Sequence, residues 1–392
     1  MSIYLNDIGI LNALGSTKSQ VFDNLIGGRN PGMVPHGPLL SGRSTWVGSV
    51  TQALAPLPER FADFDCRNNR LLAAALDQIS PSVAEVREHV ARERVAVIIG
   101  TSTSGIAEGE DAVEALTRTG KLPAAFHYRQ QEIGTAALFT ARYLDLTGPR
   151  YTISTACTSS AKAFASARRL IMSGRCDAAV VGGSDSLCRL TLNGFDALES
   201  LSPDICNPFS VNRNGINIGE GACVFVVSKL TSPLELLGVG ESSDGYHVSA
   251  PDPQGRGAER AVRAALAVAG LKPGEIGYIN LHGTATRKND AMESNVIGRI
   301  FGVDTPCSST KPQIGHTLGA AGAQEIGLCW LLLNEAGNRR RLPPQIWDGA
   351  RDASLADLRL VESGDTWKHA AFMSNSFAFG GSNASVIVGN RV

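Results

Sequence analysis

Residues 154–183 read STACTSSAKAFASARRLIMSGRCDAAVVGG, and this stretch decides the fold class. Its middle part, Ser159–Met172, has apolar side chains at helical spacing, and Gly174 follows as a stop signal. The next segment, Ala178–Val181, is a short and continuous apolar run, which is typical of a strand buried on both faces. The pattern predicts a helix followed by a buried strand, the alternation from which layered α/β folds are built.

Similar elements recur along the chain. Further short apolar runs predict strands at Val95–Ile99, Cys223–Val227, Ile276–Leu281 and Ala384–Val388. A second amphipathic helix is predicted at Gly257–Ala269, because Gly270 and Pro273 follow it as stop signals. Between these elements, Asn30–Glu59 is rich in Pro and Gly and is predicted to be a long irregular excursion.

The order of elements indicates a duplication. In the second half, Cys307–Leu332 again leads into an Ala- and Gly-rich helix, as Ser154–Met172 does in the first. The predicted strands Ala371–Ser374 and Asn383–Gly389 then follow, on either side of a Gly-Gly pair. We therefore expect two similar halves, residues 1–235 and 236–392, with a cleft between them that suits chemistry.

Composition excludes several classes of protein. The 392 residues have a formal net charge of −1, which argues against general nucleic-acid binding. The longest apolar run, Ile326–Leu333, is interrupted by Gly327 and is too short to span a membrane. The first ten residues lack the pattern of a secretory signal, and the eight cysteines form no CxxC pair. We expect reduced thiols in the cytoplasm, no membrane span and no zinc site.

Cys157 stands where a strand turns into the predicted helix. Backbone N–H groups and the positive end of the helix dipole stabilise a thiolate at such a position. Small residues on both sides leave room for a substrate next to the sulfur. The alternative is that Cys157 is one more small buried residue, the commonest fate of a free cysteine.

Two of the seven histidines lie in turns rich in Gly, Ser and Thr. His282 follows a predicted strand and precedes Thr284 and Thr286. His316 lies between Lys311 and the helix that contains Glu325. The remaining five have no such setting and are interpreted as structural: His36, His89, His127, His247 and His369. A fourth segment, residues 375–383, is a glycine-rich turn around Phe379 that brings backbone amides close to an aromatic ring.

In this combination and order, the four segments resemble the elongating β-ketoacyl-acyl-carrier-protein synthases, condensing enzymes of the thiolase superfamily. TACTSS around Cys157 is similar to the nucleophile motif of that family. HGTAT at His282, KPQIGHTLGAAGAQE at Lys311 and SNSFAFGGSN around Phe379 are similar to its His, Lys–His and gating-Phe motifs. NPFSVNRNG at residues 207–215 is a further similarity, and the resemblance covers nearly the whole chain.

The resemblance implies a five-layered α/β/α/β/α thiolase fold with two pseudo-symmetric halves. It also implies a decarboxylative Claisen condensation, in which Cys157 takes an acyl group from a carrier thioester. The N–H groups of Cys157 and Phe379 are implied as the oxyanion hole. His282 and His316 are implied to hold the malonyl thioester and to stabilise the enolate that forms as CO₂ leaves.

Other residues receive supporting roles from the same resemblance. Lys311 is implied to tune the electrostatics of the site, with Glu325 as its buried partner rather than a proton carrier. Thr284 and Thr286 are implied to hydrogen-bond the phosphopantetheine arm, and Phe379 to gate the acyl pocket. No metal or organic cofactor is implied, because the phosphopantetheine arrives on the carrier protein.

The implied partners are an acyl carrier protein and a second subunit. Arg67 and Arg70 match the family position for contact with the acidic carrier, and Arg118 and Lys121 are the next candidates. The segment Phe126–Thr135 is implied to cross a dimer interface. The dimer is expected to be a homodimer or a heterodimer with a paralogous synthase or a chain-length factor.

The sequence departs from the family pattern at several points. Ala285 replaces the usual Gly in the His motif, and Arg213-Asn214-Gly215 replaces Arg-Asp-Gly, so a structural ion pair is expected to be missing. Lys162 stands where a neutral residue or His is usual. The loops Ser102–Ser104 and His127–Arg129 are more polar than a saturated fatty chain favours. We therefore expect a specialised product, such as an aryl polyene or another polyketide-like chain.

Four other classes are alternatives, and the sequence disfavours each of them. A non-catalytic partner of the chain-length-factor type lacks the nucleophilic cysteine, whereas Cys157 is present here. A degradative thiolase needs a second catalytic cysteine in its C-terminal half, and neither Cys307 nor Cys329 lies in a suitable turn. His316 also disfavours the initiating synthases, which use Cys, His and Asn. A dinucleotide-binding oxidoreductase is not supported, since no GxGxxG follows an early strand.

Overall fold

The computed structural model describes residues 2–334 and 340–390. In these residues the strands are β1 Tyr4–Leu11, β2 Met33–His36, β3 Thr45–Gly48, β4 Val95–Gly100, β5 Arg150–Ile153, β6 Ala178–Asp185, β7 Ile218–Gly219, β8 Gly221–Ser228, β9 Glu235–Ser243, β10 Tyr278–Asn280, β11 Pro306–Ser308, β12 Arg359–Leu360, β13 Ala371–Phe377 and β14 Ser382–Gly389. The helices are α1 Lys18–Ile26, α2 Arg67–His89, α3 Ile106–Thr119, α4 Thr135–Tyr143, α5 Ser159–Met172, α6 Arg189–Ala197, α7 Arg256–Ala269, α8 Arg287–Phe301, α9 Lys311–Ile314 and α10 Ala321–Asn334.

Two half-sheets with the same strand pattern form the framework. The first has the order β5-β4-β6-β8-β1 and the second has the order β11-β10-β13-β14-β9. In each half-sheet the first three strands are parallel, and the last two pair antiparallel. The half-sheets meet where Tyr4 of β1 pairs with Glu235, the first residue of β9. The predicted duplication is thus visible in the hydrogen-bond pattern itself.

Helices α5 and α10 form the central layer. They contact each other, and each contacts strands of both half-sheets. Helix α2 packs on the outer face of the first half-sheet, and α7 packs on the outer face of the second. Helix α10 is buried on all sides from Ala321 to Leu332, and this stretch is apolar apart from Gln324 and Glu325. These layers confirm the predicted five-layered thiolase fold.

The predicted elements lie close to the observed ones. Helix α5 covers Ser159–Met172 as predicted, and Gly174 follows it in the left-handed conformation with φ 72°. Strand β10 is shorter than the predicted Ile276–Leu281, because the N–H of Ile276 closes a turn onto the carbonyl of Pro273. Among the described residues, no helix has both the length and the apolar character needed to cross a membrane.

The prediction that Asn30–Glu59 is wholly irregular is wrong. Strands β2 and β3 in this region form a small sheet with β7, in the order β2-β3-β7. Gly48 of β3 and Gly219 of β7 pair in parallel, and both lie in close contact with the carbonyl of Ile314. The sheet can form here because neither residue has a side chain. A Cβ at either glycine would lie 2.2 Å from that oxygen. The excursion therefore supports the loop that follows α9.

The first turns of α5 and α10 lie in close contact. A Cβ at Gly322 would lie 2.7 Å from both the N and the Cβ atoms of Ala161. The N–H of Ala323 also donates to Oγ of Ser160 at 2.9 Å. Only a glycine and a small side chain permit this approach, which brings the loops ahead of the two helices together.

Candidate active site

A cavity of about 530 Å³ opens where the two halves meet. Cys157 from the first half and His282 and His316 from the second half line it. Their exposed fractions are only 8%, 1% and 2%, so all three lie at its buried end. One ligand atom from each of the three lies within 4.8 Å of the others. The structure thus brings together the three residues that the sequence singled out.

Cys157 precedes the first turn of α5. Ala156, immediately before it, has the left-handed φ of 52°, which a residue with a side chain adopts only under constraint. Oγ of Ser159 holds this turn by donating to the carbonyl of Ala156 at 2.6 Å and accepting from the N–H of Thr155 at 2.9 Å. The turn aims Sγ of Cys157 at Nε2 of His316, 3.0 Å away.

His316 is fixed through its backbone by the small sheet. Its N–H donates to the carbonyl of Asn217 at 2.6 Å, and its carbonyl accepts from the N–H of Gly219 at 2.9 Å. No sequence pattern indicates this role of Asn217, because it lies about a hundred residues before His316 in the chain and the adjoining strand β7 has only two residues.

His282 is held from below by Glu293 of α8. The carboxylate accepts from the N–H of His282 at 2.8 Å and from the N–H of Gly283 at 2.7 Å. The ring of His282 lies 5.4 Å from that of His316, at an angle of 83°. No role for Glu293 is predicted from the sequence, although an acidic residue eleven positions after His282 is a usable signal.

Burial keeps the reacting groups uncharged. It lowers the pKa of both histidines well below 6.5, and Lys311 lowers them further. Burial raises the pKa of Cys157 to about 12, although Lys311 and the N–H groups of Cys157 and Phe379 act in the opposite direction. At neutral pH a thiol therefore faces two neutral imidazoles, each of which can accept or donate a proton. Three such ligand atoms could also hold a metal ion, so the expected absence of a metal remains a prediction.

Lys311 and Glu325 form a buried ion pair beside this cluster. Nζ of Lys311 lies 2.5 Å from Oε1 of Glu325, and both side chains are 1% exposed. Burial raises the pKa of Glu325 to about 6, against the opposing effect of Lys311. The pair has the geometry expected for a tuning lysine and its buried partner.

The glycine-rich turn brings Phe379 to the cavity. The N–H groups of Phe379 and Cys157 lie close enough to the sulfur of Cys157 to lower its pKa, and the oxyanion hole they are implied to form remains a prediction. Gly380 and Gly381 have φ of 81° and 73°, which glycine allows without strain. The ring of Phe379 is 36% exposed and lies 5.8 Å from that of Phe195. The gating role of Phe379 remains a prediction.

Thr284 and Thr286 line the same cavity. Their hydroxyl oxygens lie 2.9 Å apart. Ala285 between them has φ 60°, a conformation that favours glycine. The backbone of Ala285 is therefore strained, so the change from the usual Gly alters conformational energy as well as size.

Asp185 organises the wall next to the nucleophile and was not found from the sequence. Its carboxylate accepts from the N–H of Ser102 at 2.8 Å and of Thr103 at 2.7 Å, and from the N–H of Ala320 at 2.9 Å. Ser102 lines the cavity, as expected for the polar loop. The other polar segment, His127–Arg129, does not line the cavity of the single chain.

The two arginines predicted to meet the carrier protein have partners within the chain. Nε of Arg67 donates to Glu220 at 2.7 Å, and that carboxylate is fully buried. Nε of Arg70 donates to Asp65 at 2.6 Å. Reversing the charge of Arg67 would leave a buried carboxylate unpaired, so the variant would test folding as well as docking.

Residue 214 is an uncharged Asn, so an ion pair from this position is absent as expected, but its neighbour Arg213 has a carboxylate partner. Arg213 pairs with Asp352 at 2.5 Å and also donates to the carbonyl of Ser210 at 2.7 Å. The acid comes from a loop 139 residues away in the chain. Asn214 instead accepts from the hydroxyl of Ser202 at 2.7 Å.

We predict that replacing Lys311 by Met lowers the free energy of unfolding by about 3–5 kcal/mol, because it leaves Glu325 buried without its partner. The double variant Lys311→Met/Glu325→Leu should recover most of this loss, as measured by urea unfolding. Arg263→Met, which removes the exposed pair with Glu259, is the matched control and should cost less than about 1 kcal/mol. A double variant no more stable than Lys311→Met would contradict the prediction.

Comparison with known proteins agrees with this geometry. Residues 68–232 match the model of the beta-ketoacyl synthase N-terminal domain, and residues 234–346 match that of the C-terminal domain. Nodulation protein E of Rhizobium meliloti (strain 1021) is 32% identical over 97% of both chains. The 3-oxoacyl-acyl-carrier-protein synthase 2 of the same organism is 34% identical over 74% of this chain and 73% of its own.

Solved structures extend the similarity to the whole fold. A chain in the complex of the ketosynthase ApeO with its chain length factor ApeC from Xenorhabdus doucetiae superposes with a TM-score of 0.95. It is 49% identical and covers 100% of this chain and 98% of its own. The ishigamide ketosynthase/chain length factor superposes with a TM-score of 0.87 at 26% identity, over 100% of this chain and 99% of its own. The protein belongs to the β-ketoacyl synthase family of the thiolase superfamily.

Proposed function

We propose that the protein is an active condensing β-ketoacyl synthase, which joins malonyl-acyl-carrier protein to an acyl group held on Cys157. The observation that supports this most directly is the buried cluster of one thiol and two neutral imidazoles within 4.8 Å. A non-catalytic chain-length factor has no need of a nucleophile aimed at a proton acceptor 3.0 Å away.

Acyl transfer is the first step. Sγ of Cys157 attacks the carbonyl carbon of the acyl thioester while Nε2 of His316 accepts the thiol proton. The N–H groups of Cys157 and Phe379 stabilise the negative oxygen of the tetrahedral intermediate. The bond to the pantetheine sulfur then breaks, and His316 returns the proton to that sulfur. The acyl group is left on Cys157.

Condensation is the second step. In the proposed step the malonyl thioester oxygen lies between His282 and His316, whose neutral rings donate N–H bonds to it. His316 does so in the tautomer that carries its proton on Nε2, which is available once Sγ of Cys157 is acylated and no longer donates to that nitrogen. The bond to the carboxylate breaks, CO₂ leaves, and its electron pair forms an enolate. The carbanion attacks the acyl carbon on Cys157, a carbon–carbon bond forms, and the bond from that carbon to Sγ breaks. The Cys157 thiolate leaves and takes up one proton from solvent water, which balances the loss of the carboxylate as CO₂. No cofactor is needed, because loss of CO₂ drives the reaction.

Replacing Cys157 by Ala should abolish formation of the ketoacyl product but leave malonyl decarboxylation, because the two imidazoles remain. Replacing His316 by Ala should suppress both. Mass spectrometry of the thioester products and CO₂ release measure the two activities separately. Cys176→Ala, at a buried cysteine outside the cavity, is the control and should keep both. Ketoacyl product from Cys157→Ala would rule out the mechanism.

We further propose that the acyl chain is unsaturated or aryl-containing rather than a saturated fatty chain. The paired rings of Phe195 and Phe379 in the cavity wall offer flat surfaces for stacking. Ser102 adds a hydroxyl whose contact with the carbonyl of Ala156 is long, at 3.5 Å, so it favours an acyl chain that offers a closer acceptor or a polarisable surface over a saturated one.

In competition between saturated and polyunsaturated acyl-carrier proteins of equal chain length, the unsaturated chain should show about tenfold higher kcat/KM. Phe195→Leu keeps the volume roughly constant but removes one ring, so it should reduce this preference. Equal or higher kcat/KM for the saturated chain would assign the protein to ordinary fatty-acid elongation.

We propose that the working unit is a dimer with a chain-length-factor paralogue. The segment around Tyr128, which is 65% exposed, is predicted to cross the interface and complete the partner's acyl pocket. Two of the similar solved structures are ketosynthases with a chain length factor, which supports a heterodimer.

After co-expression with the paralogue, light scattering should give the mass of a one-to-one dimer. The condensation reaction should require this dimer. Tyr128→Glu should weaken association, because it buries a charge at the interface. Val303→Glu, at a side chain 57% exposed in another loop, should not. Full activity of a monomer at assay concentration would contradict this proposal.

A further inference from the structure

Two cations lie at the mouth of the cavity and were not assigned a role by the sequence. Arg287 and Lys288 are the first two residues of α8, directly after the hydroxyl pair of Thr284 and Thr286. All four line the cavity, but Arg287 and Lys288 are exposed, whereas Thr284 is buried. The lining thus changes from hydroxyls to cations towards the solvent.

Neither cation forms an ion pair with any residue in the described part of the chain. The acids of their own helix are turned inward: Asp290 accepts from the N–H of Phe209 at 2.9 Å. Glu293 accepts from the backbone of the His282 turn. Two like charges are therefore held next to each other at the mouth, without a neutralising carboxylate from α8.

The cavity lining contains two other acids, and neither neutralises them. Asp244 already accepts from the amide of Asn383 at 2.8 Å and from the N–H of Asp252 at 3.0 Å. Glu199 follows α6, on the wall formed by Phe195 and Leu198, and forms no ion pair with either cation among the described residues. The cationic side of the mouth is the side that holds the threonine pair.

We propose that Arg287 and Lys288 bind the phosphodiester of the phosphopantetheine arm, a role that rests on the proposed function. An arm whose thioester reaches Cys157 passes the hydroxyls of Thr284 and Thr286 and emerges beside the two cations. A guanidinium binds a phosphate through two parallel hydrogen bonds, and an ammonium adds a second positive charge. The threonines hold the uncharged part of the arm, and the cations hold its charged end.

The test compares two small substrates, an acyl-phosphopantetheine and the same acyl-pantetheine without phosphate. The rate of Cys157 acylation is measured by mass spectrometry on the protein with its partner subunit. The wild type should acylate about tenfold faster with the phosphorylated substrate at low concentration, as expected for two exposed charged contacts. Arg287→Gln/Lys288→Gln should remove this preference by raising KM with kcat unchanged.

The controls separate the possible results. Arg175→Gln/Lys368→Gln removes two exposed cations that do not line the cavity and should keep the preference. Acylation of the wild type at equal rates by both substrates would overturn the inference while leaving the proposed function intact. A defect of the double variant only with the full carrier protein would overturn it too, since the cations would then contact acidic side chains of the carrier. No acylation of Cys157 by any thioester would refute the proposed function itself.

Discussion

The close contact between the first turns of α5 and α10 sets the geometry of the whole site. Gly322 lies against Ala161 at a distance that no side chain on residue 322 allows. Because each helix follows a loop with a reactive residue, this single contact brings Cys157 and His316 from different halves to 3.0 Å. The two half-sheets pack on either side of α5 and α10 and hold these helices in contact. The fold thereby aligns the N-terminal ends of the two helices.

The electrostatics of the site follow from that burial. Sγ and both imidazoles lie where water is nearly absent, and so the uncharged form of each is favoured. The Lys311–Glu325 pair places a positive charge in this dry site, and its ammonium favours negative charge that develops nearby. The carboxylate of Glu325 offsets the free-energy cost of burying that ammonium. In the proposed mechanism, such a site would stabilise the enolate through fixed N–H donors rather than through a permanent charge on the histidines.

Much of the fold and the three reacting residues could be predicted, because both depend on local patterns. Apolar periodicity defined α5 and the buried strands, and motif order identified Cys157, His282 and His316. What could not be predicted depends on pairs distant in the chain. Arg67 and Glu220 are 153 residues apart, and the small sheet under His316 pairs β3 with a strand of two residues. No local pattern specifies such partners.

The reacting groups lie at the buried end of the cavity, and the charged groups lie at its mouth. At its buried end, the exposed fractions of Cys157 and His316 are 8% and 2%, so water has little access to an acyl thioester formed there. At its mouth Arg287 and Lys288 are exposed and charged. In the proposed mechanism, weak charged contacts near solvent let a carrier leave after acyl transfer, and the covalent bond to Cys157 retains the acyl group until the malonyl carrier arrives.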